Sequence, residues 1–162
     1  MKHRMHAVLG GFVGFAMCAF SLASAAEEAE ALTAVQLDPE KLAGVGLPAE
    51  EPWVAPEDLL SGSHDPKGEV LFAGEQIIVE VYEDNEATFA GGDGFLFDEF
   101  VLILSGKLVL TNPDGVVQEF VAGDSVVVPK GYKGTWEMQG DFRELVVIER
   151  KAYEEAYGEV ED

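Results

Sequence analysis

From residue 69 onward the chain alternates short apolar runs with turn residues: EVLFA, QIIVEVYE, FLFDEFVLIL, KLVLT, VVQEFV, SVVV, GTWEM and ELVVIE. Runs of this length and period predict β-strands. Their close spacing predicts antiparallel hairpins, because parallel crossovers need about a dozen connecting residues or more. Ser105-Gly106, Asn112-Pro113-Asp114-Gly115, Ala122-Gly123-Asp124 and Pro129-Lys130-Gly131 carry the chemistry of reversals: glycines for positive φ and prolines with φ already fixed. After Glu149, RKAYEEAYG predicts one short helix with Tyr153 and Tyr157 on one face, packed against the outside of the domain. No internal repeat is present, so the pattern predicts a single all-β domain that closes as a barrel or jelly roll.

Ahead of this region the pattern is lost. Pro39, Pro48, Pro52, Pro56 and Pro66 fall among many acids, with no sustained period. Residues 26–66 therefore read as an acidic, proline-rich arm, with a segment around Trp53 laid across the domain. Residues 67–150 form the barrel, and residues 151–162 the short helix and acidic tail. Residues 1–25 read as a signal peptide, the alternative being an uncleaved membrane anchor. They combine the basic opening MKHRMH, an uncharged apolar stretch and Ala23-Ser24-Ala25 just before AEEAE. The only cysteine, Cys18, lies inside that leader, so the mature chain has no disulfide or thiol chemistry. The expected location is periplasmic or secreted.

Ten Lys and Arg stand against 31 Asp and Glu, a formal charge of −21. This excludes a nucleic-acid binder, whose affinity comes from clustered cations, and disfavours a basic lipid-docking patch. No membrane association is expected once the leader is removed.

A period of two along FLFDEFVLIL puts Phe95, Phe97, Glu99, Val101 and Ile103 on one face, and Leu96, Asp98, Phe100, Leu102 and Leu104 on the other. Both faces are largely apolar, so both need cover: one from the barrel interior, the other from a second subunit. A homodimer is expected. Glu99 is the anomaly, an acid on the inner face that must be hydrogen-bonded, paired, metal-bound or protonated. The bland reading pairs it with backbone amides or with Lys133; the other makes it a ligand-binding group. Around it the pattern places Phe95, Phe97 and Trp136, with Glu80 and Tyr82 from VEVYE and Tyr132 or Lys133 at the rim. Aromatic walls with a few polar groups suit a small polar or cationic metabolite.

The segment EFVLILSG, with Glu99 six residues ahead of Gly106, and GDSVVVPKG, with Gly123 ahead of Pro129-Lys130-Gly131, resemble the end of the first cupin motif and the start of the second. Gly131-Tyr132-Lys133-Gly134-Thr135-Trp136-Glu137 further resembles the small cupins grouped with ureidoglycine aminohydrolase. The resemblance covers roughly residues 50 to 150. It implies a double-stranded β-helix, usually dimeric, with a pocket at the barrel mouth.

Metal-binding cupins carry an HxH before the Glu and a third His after the PxG turn. Here those positions hold Gly92-Asp93-Gly94-Phe95 and Gly134, and only Glu99 remains of the four ligands. The sole histidine outside the leader, His64, reads as a solvated loop residue, and Asp93 as a turn former. Asp98 and Glu137 alternate away from Glu99. No metal and no cofactor are expected. The sequence thus reads as an exported, metal-free, metabolite-binding cupin of the ureidoglycine aminohydrolase-like family. The alternatives are a metal-dependent hydrolase or isomerase acting on a small nitrogenous or sugar-like metabolite, and a structural or assembly protein whose acidic arm meets a basic partner.

Overall fold

The computed structural model describes residues 33–160; the expected leader at residues 1–25, residues 26–32 of the arm and the last two acidic residues lie outside them. Two long antiparallel strands organise the sheet, β5 (Glu99–Thr111) and β8 (Thr135–Glu149). The other edge of β5 pairs with β7 (Ser125–Val128) over its first half and with β6 (Val117–Val121) over its second. The other edge of β8 pairs with β4 (Ala87–Ala90) near its start and with β3 (Ile77–Asp84) near its end. β1 (Leu59–Gly62) extends the β4 side and β2 (Lys67–Ala73) the β3 side. Each long strand therefore serves two sheet halves, which rolls the sheet around one interior.

That interior is filled by alternate residues. Val101, Ile103, Leu108 and Leu110 of β5 meet Trp136, Met138 and Phe142 of β8, with Phe89 and Val128 closing the sides. Ile103, Leu108 and Met138 are at most 1% exposed, and each contributes about 2 kcal/mol by leaving water. The inner-face assignment along residues 95–103 holds: Phe97, Glu99, Val101 and Ile103 are buried, while Leu96 is 60% exposed.

Three boundaries differ from the sequence pattern. Ser105-Gly106 does not reverse the chain. It is an irregularity inside β5, where the register shifts between Ile103 and Ser105 and again before Lys107. Gly106 has φ 70° and faces Gly140 of β8, φ 73°, at the same level. A Cβ at Gly106 would sit 2.7 Å from the carbonyl oxygen of Gln139. Ser105 Oγ donates to the Asp141 carbonyl at 2.6 Å. The glycines bend both strands together, as bulges do. KLVLT therefore continues the preceding run, and GTWEM and ELVVIE are one strand.

The second difference is the start of β5. The run FLFDEF is strand only from Glu99. Phe95 and Phe97 sit in a loop pinned by Phe95 N–H donating to the Tyr132 carbonyl at 3.0 Å and Gly131 N–H to the Phe95 carbonyl at 2.8 Å. Asp98 is exposed and accepts from Lys130 N–H at 2.8 Å. The other three turns form where expected, with positive φ at Gly115, Gly123 and Gly131.

The third is the arm, whose boundary at residue 66 cuts through the sheet. β1 pairs with β4, and Ala49 bridges to Lys67. A short helix, α1 (Pro39–Leu42), is capped by Asp38, which accepts from Glu40 N–H at 2.8 Å. LLSG has no alternation and ATFA is rich in alanine, a weak strand former, so cross-strand pairing decided both strands. Trp53 does lie across the domain, yet it stays 49% exposed. The C-terminal helix α2 (Arg150–Tyr157) forms as predicted.

Candidate functional site: an acid-lined cavity at the barrel mouth

Three adjacent strands each send one carboxyl inward. Glu80 comes from β3, Glu144 from β8 and Glu99 from β5. The register sets Glu80 opposite Val146, Tyr82 opposite Glu144 and Glu99 opposite Ile148, so the acids occupy three successive inward rungs. Glu144 is 5% exposed and Glu99 8%. Burial, and then the charge of Glu80, push Glu99 up to about 8. Burial, then the charge of Glu50, push Glu80 up to about 7, against a hydrogen bond from Tyr153 that favours its ionised form. Burial, with Glu99 and Glu80 nearby, holds Glu144 well above the carboxylate range. Glu144 Oε2 is buried with no hydrogen-bond partner among the described residues.

Glu50, from the arm, hydrogen-bonds to Glu80, and burial raises its own affinity for a proton. Gly68, opposite Tyr82 on β2, leaves space for this pair. A Cβ there would meet the Glu50 carboxyl and come within 3.0 Å of Glu80 Oε1.

These acids open into a cavity of about 780 Å³. Phe95 stacks on Trp136 with centroids 5.6 Å apart. Trp53 meets Phe89 at 5.9 Å and Tyr82 at 6.3 Å from the arm side. α2 packs on Phe97, Val146 and Ile148 through Ala152, Tyr153 and Ala156, and Phe97 lies 5.9 Å from Tyr157. Tyr153 and Tyr157 line the cavity, which corrects their placement on the outside of the domain: the helix folds back over the mouth. Burial pushes the Tyr157 hydroxyl up to about 12, with Glu99, Glu80 and Glu50 adding to it.

Of the residues expected in the pocket, Glu99, Trp136, Phe95, Phe97, Glu80 and Tyr82 line this cavity. Tyr132 and Lys133 do not. They line a separate hollow of about 670 Å³ with Asn112, Asp114 and Gln118, because the turn at Gly131 carries the chain past the rim. Lys133 is thus no partner for Glu99. Sequence reasoning missed Glu144, Glu50, Tyr153 and Tyr157. The alternation of ELVVIE could have flagged Glu144, since it shares a face with Val146 and Ile148.

His64 is not a solvated loop residue. Its side chain is 5% exposed, 5.4 Å from the Trp53 ring and 5.0 Å from Phe89. Nε2 accepts the N–H groups of Trp53 and Val54 at 3.3 and 3.4 Å. Nδ1 contacts Asp84 Oδ2 at 2.6 Å, and the Tyr82 hydroxyl donates to the same oxygen at 2.7 Å. The network fixes the arm segment that forms one cavity wall. Asp93 sits with Asp58 at the rim, beside the positive-φ turn at Gly92.

The residues do not fit the metal site of metal-binding cupins. The HxH positions are the glycine-rich loop, Gly134 cannot ligate, and His64 is committed to Asp84 and the arm backbone. Among the described residues no three His, Cys, Asp or Glu side chains are grouped so as to hold a metal ion.

Residues 89–153 match the family model of the EutQ-like cupin domain. The chain has the fold of the cupins. A crystal structure of a protein of unknown function from Pseudomonas syringae pv. tomato superposes with TM-score 0.55 at 19% identity, covering 63% of this chain and 43% of that one. The chain thus spans less than half the length of that relative. The polyketide cyclase RemF from Streptomyces resistomycificus gives TM-score 0.50 at 18% identity over 64% of this chain and 74% of its own. The EutQ protein of Clostridium difficile gives 0.46 at 22% identity over 59% and 79%. At these identities the structural likeness is one of fold. No curated protein matches the sequence.

Proposed function

We propose that this cupin is an exported binding module for a small organic cation. The observation that carries the reading is the composition of the mouth. Glu80, Glu99 and Glu144 converge from three strands, aromatic rings form the walls, and none of the described residues lining the cavity is Lys, Arg or His. A buried set of carboxyls without a basic partner is costly, and a bound cation offsets that cost. The aromatic rings of Trp53, Trp136 and Phe95 that line the cavity are the side chains whose π-systems attract cations. Thermal-shift screening of organic cations against neutral isosteres tests this, with Glu99→Gln as the variant that keeps shape and removes charge. Stabilisation by the neutral compounds alone would reject the reading. Export is checked by intact mass, expected to start at Ala26.

One observation favours a second reading, an enzyme acting on a small nitrogenous compound, as the resemblance to ureidoglycine aminohydrolase-like cupins implies. Burial and neighbouring acids push Glu80 up to about 7 and Glu99 up to about 8, where a carboxyl can both give and take a proton during turnover. Product formation from a nitrogenous hit, abolished in Glu99→Gln, separates catalysis from binding.

A further inference from the structure

The inner acids differ in how they are satisfied, and this narrows the ligand. It rests on the cation-binding reading above. Glu80 is engaged by Glu50 on one side and Tyr153 on the other. Glu144 has neither: it lines the cavity, and its Oε2 is buried and meets no donor among the described residues. An orphaned buried oxygen is costly. A ligand recovers this only by bringing a hydrogen-bonding group to that point. A quaternary ammonium cannot, because its charge is sheathed in methyl groups; a protonated primary amine brings three N–H donors.

The same packing constrains the charge count. The groups facing the cluster are Glu80 and Tyr82 from β3, Glu99 from β5, Glu144 from β8, Glu50 from the arm, and Tyr153 and Tyr157 from α2. At the rim stand Glu51, Asp58 and Asp93. All are acids or phenols. Three carboxyls on successive rungs, with no Lys, Arg or His among the described residues that line the cavity, cannot all be ionised, so without a ligand the cluster keeps protons.

We propose that the Glu80–Glu99–Glu144 cluster is a receptor for the protonated amino group of a primary-amine ligand, with Glu144 as its anchoring residue, and that capture exchanges the ammonium for a proton released to solvent. The balance is one cation in and up to one H⁺ out, with no covalent change. Binding therefore tightens as pH rises toward 8, while the amine remains protonated.

The experiment is isothermal titration calorimetry of the exported protein at pH 7 with benzylammonium, benzyltrimethylammonium and benzyl alcohol, in phosphate and in MOPS, whose ionisation enthalpies differ. Benzylammonium is expected to bind at least tenfold more tightly than the other two and to release between about 0.3 and 1 proton, the dependence of the heat on the buffer giving the count. Glu144→Gln is expected to weaken benzylammonium tenfold or more; Glu99→Gln, which leaves Glu144 in place, should reduce the proton release. Benzylammonium binding without proton release overturns the exchange and leaves the cation site standing. Equal or tighter binding of benzyltrimethylammonium overturns the role of the N–H donors. Failure of both cations to bind removes the cation-binding reading itself, and the inference with it.

Discussion

His64 and Asp84 form a buried pair, Nδ1 to Oδ2 at 2.6 Å, that ties the arm to the barrel wall. Two backbone N–H groups point at Nε2, so that nitrogen carries no proton and Nδ1 is the donor. Asp84 also accepts from Tyr82, from Asp65 N–H at 2.9 Å and from Asn85 N–H at 2.8 Å. One side chain thus holds the arm, the β3 terminus and a cavity-lining tyrosine in register.

Replacing His64 by Ala removes a donor from Asp84 and an acceptor from two N–H groups of the arm. The expected loss is about 2–3 kcal/mol in urea denaturation, together with faster proteolysis around Trp53. A variant as stable as the parent, with the arm still protected, would show that the pair does not hold the strap.

Stability should fall as pH rises. The folded-state values of about 7 for Glu80 and about 8 for Glu99 lie above the ordinary 4.5. Between pH 4.5 and 7 the folded state therefore keeps protons that the unfolded chain has released. The slope for each such carboxyl approaches about 1.4 kcal/mol per pH unit and flattens once the folded pKa is passed. The melting temperature is expected to be higher at pH 5 than at pH 8, and Glu99→Gln should flatten the decline. A profile that rises across this range in both proteins contradicts the buried-acid description.

Trp136 is 6% exposed and stacks on Phe95. Trp136→Leu is expected to cost about 3 kcal/mol through the volume left behind and also to weaken any aromatic-cation hit. Unchanged affinity in a destabilised variant would confine Trp136 to the core.

We propose that the outer face of β5 pairs with a second copy. Phe100 is 39% exposed and pairs across the ladder with Val127, which is 61% exposed, an apolar surface beside Leu102 and Leu104. Light scattering is expected to give twice the chain mass, and Phe100→Lys a monomer. A monomer in the parent protein at micromolar concentration removes the proposal.

The inner and outer faces of β5 were fixed by local pattern, because a strand's period of two leaves each side chain only two directions. The same logic brings Glu99, Glu80, Tyr82 and Trp136 to one interior, and the turns at Gly115, Gly123 and Gly131 follow from the glycines and prolines of their segments. What tertiary structure decided is where chain segments meet. Gly106 bends instead of reversing because Gly140 sits across from it. β1 and β4 are strands only because each has an edge to join. His64 is buried because Trp53 and Phe89 close over it, and Tyr153 reaches Glu80 because α2 folds back across the mouth. Alternation encodes direction within an element; the partner across a gap of many residues is selected by the packing of the whole chain, and here that packing turns one anomalous acid into a cluster.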